Sequence, residues 1–177
     1  MGQPQVPIDV DDATGAWSVD GIPMILVPRH FFVNNHVAVE SAIGTDRLAQ
    51  LLFDAGHKSA YYWCEKEAKT HGLDGVAVFH HYMKRLSQRG WGQFQVEAVD
   101  IERGHARVRV DHSVFVLERK DAAPRKTCYM FRGWFPGSLE FVGTLLDKRL
   151  CLTSSEVQCA AEGQHDHCVF EVVPVSN

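Results

Sequence analysis

The residue types best suited to chemistry in this chain are cysteines and one acidic residue near its C-terminus. Glu156 precedes Cys159 by three positions, and Cys168 follows Cys159 by nine. Gly163 lies between the two cysteines and suits a tight turn, so a hairpin is predicted whose mouth carries both thiols. A hairpin of this kind can bring two sulfur atoms to one metal ion.

Zinc is the metal that such a group suits, because tetrahedral zinc sites are built from thiolate, imidazole and carboxylate ligands. Cys128 is the candidate fourth ligand, from the apolar, strand-like segment 127–131. His165 and His167 lie between the two hairpin cysteines and are rival ligands. The alternative is that the cysteines are buried free thiols, which behave as small apolar side chains. The spacing alone leaves these interpretations open.

The remaining nucleophiles and imidazoles lack the surroundings that catalysis requires. Cys64 follows a run of aromatic residues on a predicted helix, and Cys151 lies between two leucines. A reactive thiol needs a nearby base and a lowered pKa, and no local motif supplies either. His80 and His81 are adjacent on a helix, so they point in different directions and at most one faces the interior. No catalytic residue is predicted.

Composition indicates an ordinary globular domain that does not bind nucleic acid. The chain has 177 residues, of which 45% are hydrophobic and 23% charged, with a formal net charge of −4. A nucleic-acid interface needs a sustained basic face. The local basic cluster between Arg119 and Lys126 is interrupted by Asp121 and Pro124, so we expect a solvated loop there.

The chain is expected to be cytoplasmic and to lack a membrane span. No run approaches the roughly 20 apolar residues that a span needs. The first twelve residues are polar and acidic, unlike a signal peptide. Five cysteines in a cytosolic chain indicate reduced thiols or a metal ion, not a disulfide framework.

Periodicity predicts an α+β fold, with an antiparallel sheet flanked by helices and a C-terminal metal-binding hairpin. Residues 1–44 are expected to form a lead-in with one short strand, packed on a ligand-binding domain over 45–177. The predicted elements of that domain, in order, are a helix at 46–69 with a break near Gly56, a second helix at 76–88, strands at 94–100 and 106–110 joined by a turn at 102–104, a strand or helix at 114–117, a strand at 127–131, a helix capped by Ser138, and a hairpin pairing 150–158 with 168–173.

Three stretches resemble the 4-vinyl reductase domain family. Glu156-Val-Gln-Cys159, Gly163 and Cys168-Val-Phe-Glu171 look like its closing signature. Residues 86–113 are similar to its glycine turn, hairpin and serine-ended strand, and residues 128–134 are similar to its Cys, four residues, Gly, aromatic segment. The family includes accessory proteins of tetrapyrrole reduction and the effector-sensing domains of phenol- and toluene-responsive transcriptional activators.

The resemblance implies a structural zinc ion and a pocket between helices and sheet. Its fold resembles nitric-oxide-sensor and vesicle-tethering folds, and its members often form homodimers. The four zinc ligands would be Cys128, Glu156, Cys159 and Cys168. Seven residues are candidate contacts for a small hydrophobic or aromatic molecule, although the residue types themselves favour plain core packing for each: Phe79, His80, Trp91, Val110, Tyr129, Phe131 and Trp134.

The function expected from this resemblance is sensing or binding of a small molecule by a stand-alone domain. The ATPase and DNA-binding parts of the activators have no counterpart here, so any signal would pass to a separate signalling or enzyme partner. One alternative is an accessory protein or enzyme subunit in reduction or catabolism of a tetrapyrrole or aromatic compound. Reduction needs a hydride or electron source, and no nicotinamide or flavin fingerprint is present. A second alternative is a dimeric interaction or tethering module.

Overall fold

The computed structural model describes residues 6–119 and 124–175, so Lys120 and Asp121 of the expected basic loop lie outside the described part. The helices are α1 (Arg29–Ile43), α2 (Thr45–His71), α3 (Val76–Gln88), α4 (Val114–Glu118) and α5 (Trp134–Leu145). The strands are β1 (Asp9–Val10), β2 (Trp17–Val19), β3 (Ile22–Met24), β4 (Gln93–Asp100), β5 (His105–Asp111), β6 (Leu152–Gln158) and β7 (Cys168–Pro174). Two 3₁₀ helices span Tyr129–Gly133 and Ala160–Glu162.

The main sheet is antiparallel, with strand order β4-β5-β7-β6, and helices cover one of its faces. Along β5, Ala106, Val108 and Val110 are buried, whereas the intervening Arg107 and Arg109 are part exposed. This alternation is typical of a sheet with one face on the core and one in water. The predicted α+β class is therefore confirmed, and the two predicted hairpins are β4-β5 and β6-β7.

Strand β6 carries an irregularity that changes which side chains face inward. Up to Glu156 the even-numbered residues are buried, and the pairing with β7 then shifts between Glu156 and Gln158. Val157 is the extra residue at this β-bulge, and its side chain is exposed. Because a bulge reverses the alternation, the odd-numbered Cys159 becomes buried like Glu156.

Helix α2 runs without a break through Gly56, contrary to the expected interruption. Glycine is required there because a Cβ would collide with the Trp134 indole of α5. Gly133 and Gly137 also face α2. A Cβ at these positions would collide with the backbone carbonyls of Phe53 and His57, respectively. The helices α2 and α5 therefore touch backbone to backbone along this face.

Two predicted elements differ in the structure. The segment 127–131, expected as a strand, leads into the 3₁₀ helix Tyr129–Gly133, which packs on α2 and continues directly into α5. Helix α5 consequently begins at Trp134, and Ser138 lies inside it with its hydroxyl donating to the Phe135 carbonyl. A short apolar run satisfies strand and helix patterns equally, and contacts with α2 decide the outcome here.

Residues 1–44, expected to form a lead-in with one short strand, contain helix α1, which buries Val33, His36 and Glu40. Arg119 and Arg125 pair with the Glu40 carboxylate at 3.1 and 2.5 Å, so these two side chains are not the solvated loop residues that the sequence indicated. Although burial alone would raise it, hydrogen bonds and charge from Arg125, Thr45 and Arg119 lower the pKa of Glu40 to about 2.

Among the helices of the described residues, none has both the length and the apolar character that crossing a membrane requires.

Replacing Gly137 with alanine should reduce the free energy of unfolding by about 3 kcal/mol, because the new methyl group overpacks the contact with α2. In an ordinary helix the same change stabilises by about 1 kcal/mol, so the sign is diagnostic. Denaturant unfolding of Gly137→Ala measures the effect, with Ser59→Ala on the exposed side of α2 as control. A stabilised Gly137→Ala protein would refute the close packing of the two helices.

Replacing Glu40 with glutamine should destabilise the protein by about 2 kcal/mol at pH 7, because the guanidinium groups of Arg119 and Arg125 lose their charged partner. The pKa of Glu40 is depressed, so its contribution is complete above the ordinary glutamate pKa and is lost as pH falls towards 2. The stability difference between wild type and Glu40→Gln should therefore shrink below about pH 4. Chemical unfolding from pH 7 to pH 2 measures it, and a difference independent of pH would contradict the ion-pair assignment. Glu102→Gln removes the same charge at an exposed site and is the control.

Candidate metal centre and ligand groove

The structure brings together all four side chains that the sequence proposed as metal ligands. Cys128, Glu156, Cys159 and Cys168 are buried, and one donor atom from each lies within 4.8 Å of the others. Cys128 stands immediately before the first 3₁₀ helix, Glu156 is on β6, Cys159 opens the second 3₁₀ helix and Cys168 begins β7. The group is close enough to hold a metal ion.

The spacing of the sulfur atoms suits a tetrahedral metal and excludes a disulfide. The Sγ atom of Cys168 lies 3.7 Å from that of Cys128 and 3.7 Å from that of Cys159. Metal–sulfur bonds of about 2.3 Å in a tetrahedron place neighbouring sulfurs about 3.8 Å apart. A disulfide would need about 2.05 Å. The cysteines of the cluster are free.

The glutamate of the cluster is held in place but is only half satisfied. The Cys128 backbone N–H donates to Glu156 Oε2 at 3.2 Å, whereas Glu156 Oε1 is buried and has no hydrogen-bond partner. A buried carboxylate oxygen without a partner is costly unless it coordinates a metal ion. A bound cation would satisfy this Oε1 atom, so the four donors fit a metal ion.

Local hydrogen bonds also orient the thiols. The Ser113 hydroxyl lies 3.0 Å from the Cys128 sulfur, and the Ala160 N–H donates to the Cys168 sulfur at 3.3 Å. The Cys159 N–H donates to the Glu162 carboxylate at 2.9 Å and so fixes the turn that follows it. Backbone N–H groups directed at sulfur stabilise thiolate, the form that binds metals.

Without a metal ion, burial and hydrogen bonds shift the pKa values of the cluster in opposite directions. Burial raises the pKa of the Cys128 thiol well above its ordinary value, and burial raises the pKa of Glu156 to about 9. Hydrogen bonds from the Cys128 and Cys168 thiols lower the pKa of Cys159, so negative charge concentrates on that sulfur. A divalent cation among these donors would reverse the burial effect by stabilising their ionised forms.

The rival ligands lie outside the cluster. His165 is exposed, and His167 is partly exposed with its Nδ1 atom 2.6 Å from the Asp166 carboxylate. Neither belongs to the four-residue group whose donor atoms converge.

Several of the predicted ligand contacts meet in an aromatic cluster between the helices and the sheet. The ring centroids of Trp91 and Trp134 are 5.1 Å apart, and those of Trp134 and Phe131 are 4.9 Å apart. Val110 lies below this group, beside Gly92, and Phe79 is fully buried on α3. His80 is on the exposed side of α3, so the structure does not bring it to the cluster.

Helices α1 and α4 add residues that the sequence did not single out. Phe32 lies 5.2 Å from Trp91 between ring centroids, and His36 lies 4.9 Å from Phe115. The His36 Nε2 atom is 2.7 Å from the Tyr129 hydroxyl, which makes one buried polar pair beside otherwise apolar rings. The spacing of Phe32 and His36, four residues apart, was the available signal.

The polar pair is uncharged near neutral pH. Burial lowers the pKa of His36, with the neighbouring Glu40 acting in the opposite direction, and burial raises the pKa of Tyr129. A neutral imidazole and a phenol can each donate or accept a hydrogen bond.

An open groove of about 250 Å³ borders this region at Phe32 and Trp91. It is also lined by Val114, Arg89 and the segment 24–27. Ile25 and Leu26 in that segment are 81% and 78% exposed, so the rim carries two large apolar side chains in solvent.

The fold is that of known small sensory and trafficking domains. It is similar to the crystal structure of the phenol-responsive sensory domain of the transcription activator PoxR with phenol, with a TM-score of 0.76, 16% identity, and coverage of 94% of this chain and 84% of that one. It is also similar to a trafficking protein particle complex subunit 3 from Naegleria fowleri covalently bound to palmitic acid, with a TM-score of 0.55, 11% identity, and coverage of 84% and 95%.

Residues 2–97 match the family described as a domain of unknown function (DUF5943), and the chain belongs to that family. No curated protein matches the chain in sequence.

Replacing Cys168 with serine should remove a bound metal ion and lower the melting temperature by about 10 °C, since the free energy of binding a structural metal contributes to folding. Elemental mass spectrometry and thermal unfolding of purified wild type and variant measure both effects. Cys151→Ser, at an exposed cysteine, is the matched control and should change neither. Equal metal content and melting temperature in wild type and Cys168→Ser would count against a metal centre here.

Proposed function

We propose that this chain is a small-molecule-sensing or binding domain with a structural zinc ion, and that its ligand is a small aromatic or apolar molecule. The observation that carries the proposal is the open groove lined by Phe32 and Trp91, at the border of an aromatic cluster that lies next to the metal centre in the chain. The likeness of fold to a phenol-responsive sensory domain supports it.

Zinc is the proposed ion because the donor set is three thiols and one carboxyl group. Thiolates favour zinc over hard cations such as magnesium and calcium, and four protein ligands complete a tetrahedral shell. Cys128, Glu156, Cys159 and Cys168 would hold the ion. A shell closed by protein ligands suits a structural role, since hydrolytic zinc keeps one position open.

The metal centre and the proposed ligand site are adjacent in the chain. Cys128 is followed directly by Tyr129, the partner of His36, and then by Phe131 in the aromatic cluster. An ion that fixes Cys128 against β6 and β7 would therefore also fix the 3₁₀ helix that carries these rings. Folding of the metal centre and the shape of the proposed ligand site would then both depend on how Cys128 is held.

The groove supports a ligand of modest size. Its volume is just below the range of about 300–1,000 Å³ that small-molecule pockets occupy, which favours a single-ring compound. A ligand ring in the groove would gain edge-to-face contacts with Trp91 and Phe32, which line it.

Further features of the 4-vinyl reductase resemblance belong to the same proposal. They are a ligand-binding domain over 45–177 with 1–44 packed on it, a homodimer, and a separate signalling or enzyme partner. A groove lined by aromatic rings favours binding over tethering, because a tethering module needs only an outer surface.

Phenol and toluene should each raise the melting temperature of the zinc-loaded protein, because a ligand that binds only the folded state stabilises it. Trp91→Leu should weaken binding about tenfold in calorimetric titration, the loss expected for one aromatic contact. Tyr62→Leu, at an exposed aromatic residue outside the groove, is the control and should bind as wild type does.

No heat of binding and no thermal shift for either compound at millimolar concentration would overturn the proposed ligand class. Binding that is unchanged in Trp91→Leu would instead remove the groove as its site.

A further inference from the structure

A second group of metal-ligating side chains lies on α2 and α3, away from the four residues of the first metal centre in sequence. Glu67 and His71 are one turn apart near the end of α2, and His81 is on the facing helix α3. One donor atom from each of these three residues lies within 4.8 Å of the others. Asp20, in the turn between β2 and β3, reaches the same point.

The distances within this group match the edges of a small coordination polyhedron. His71 Nε2 lies 3.4 Å from Glu67 Oε2 and 3.5 Å from Asp20 Oδ2. Metal–nitrogen and metal–oxygen bonds of about 2.1 Å in a tetrahedron place the donors about 3.4 Å apart. His81 Nε2 is closer to Glu67 Oε2, at 2.8 Å.

One carboxylate oxygen of the group is left without a partner. Arg85 pairs with Asp20 at 2.5 Å and with Glu67 at 3.4 Å, and Arg89 also interacts electrostatically with Glu67. Glu67 is nevertheless fully buried with its Oε1 atom lacking a hydrogen-bond partner. A buried carboxylate oxygen without a partner is costly, and a bound cation would satisfy it.

We propose that Glu67, His71 and His81, with Asp20, form a second site for a divalent transition metal such as zinc, cobalt or nickel. Imidazole and carboxylate donors suit these borderline ions and disfavour calcium and magnesium, which take oxygen-only shells. The His71 side chain is about a third exposed, which gives the ion a route from solvent. Arg85 competes for the same carboxylates, so this site binds more weakly than the cysteine centre.

Occupation of the site has a structural consequence. Asp20 belongs to the β2-β3 turn, whereas the other three donors belong to α2 and α3. An ion shared among them would hold the N-terminal three-stranded sheet against the helices. The second site is independent of the proposed sensing function.

Cobalt(II) provides the test, because its spectrum reports the ligand type. The protein is first loaded with one equivalent of zinc and then titrated with cobalt while absorbance and heat are recorded. We expect a second equivalent to bind with weak visible d–d bands and without the thiolate-to-cobalt charge-transfer band that cysteine ligation produces. His71→Ala and His81→Ala should each weaken this binding at least tenfold, consistent with loss of one ligand.

His80→Ala is the matched control, since it removes an exposed imidazole from the same turn of α3 and should leave cobalt affinity unchanged. Circular dichroism confirms folding of each variant, and His81→Gln replaces His81→Ala if the latter unfolds. Failure of the wild type to bind a thiolate-free cobalt ion would overturn the proposal. Equal affinity in wild type, His71→Ala and the folded His81 variant would overturn it as well.

Discussion

Burial of four ionisable side chains at the junction of β6, β7 and the first 3₁₀ helix is the constraint on which the surrounding structure depends. Three thiols and a carboxyl group there have no bulk water to solvate their charged forms, and the pKa values of Cys128 and Glu156 rise accordingly. Such a group is unfavourable in an apolar core and becomes favourable with a cation bound. A β-bulge, a 3₁₀ turn and backbone N–H groups hold the four candidate ligand atoms close together.

The two donor groups differ in softness, and this difference separates their chemistry. Sulfur dominates the group formed by the cysteines, whereas nitrogen and oxygen make up the group around Glu67. Ligand softness and coordination geometry together decide which ions such sites select. Both groups also connect segments distant in sequence, Cys128 with the last hairpin and Asp20 with the ends of α2 and α3.

Local sequence patterns were sufficient for much of the fold and for the convergence of the candidate metal ligands. The β4-β5 and β6-β7 hairpins follow from alternation and turn residues, and Glu156, Cys159 and Cys168 are close in sequence, so their convergence requires only one hairpin. The 3₁₀ helix at Tyr129–Gly133 was predicted as a strand, because an apolar run of five residues carries no period and its contact with α2 decides its form.

Other features depended on partners that no local pattern reveals. Helix α1 lacks a side-chain N-cap and follows Pro28, so its start is weakly encoded, and the pairing of His36 with Tyr129 joins residues 93 positions apart. Arg119 and Arg125 looked like loop residues because their partner, Glu40, is equally remote. Gly56 likewise resembled a helix break, because the reason for a glycine there, the close approach of the Trp134 ring, lies far along the chain.

The backbone contact between α2 and α5 also determines where the domain can adapt its shape. Helices separated by side chains can respond to a guest by changing rotamers, but Gly133 and Gly137 leave no side chain to rearrange at their contact. The contact between α2 and α5 is therefore rigid. The open groove is bordered instead by the N-terminal segment, where Ile25 and Leu26 lie largely in solvent. Under the proposed function, adjustment to ligands of different size would therefore fall to this segment, and changes there would leave the helix contact undisturbed.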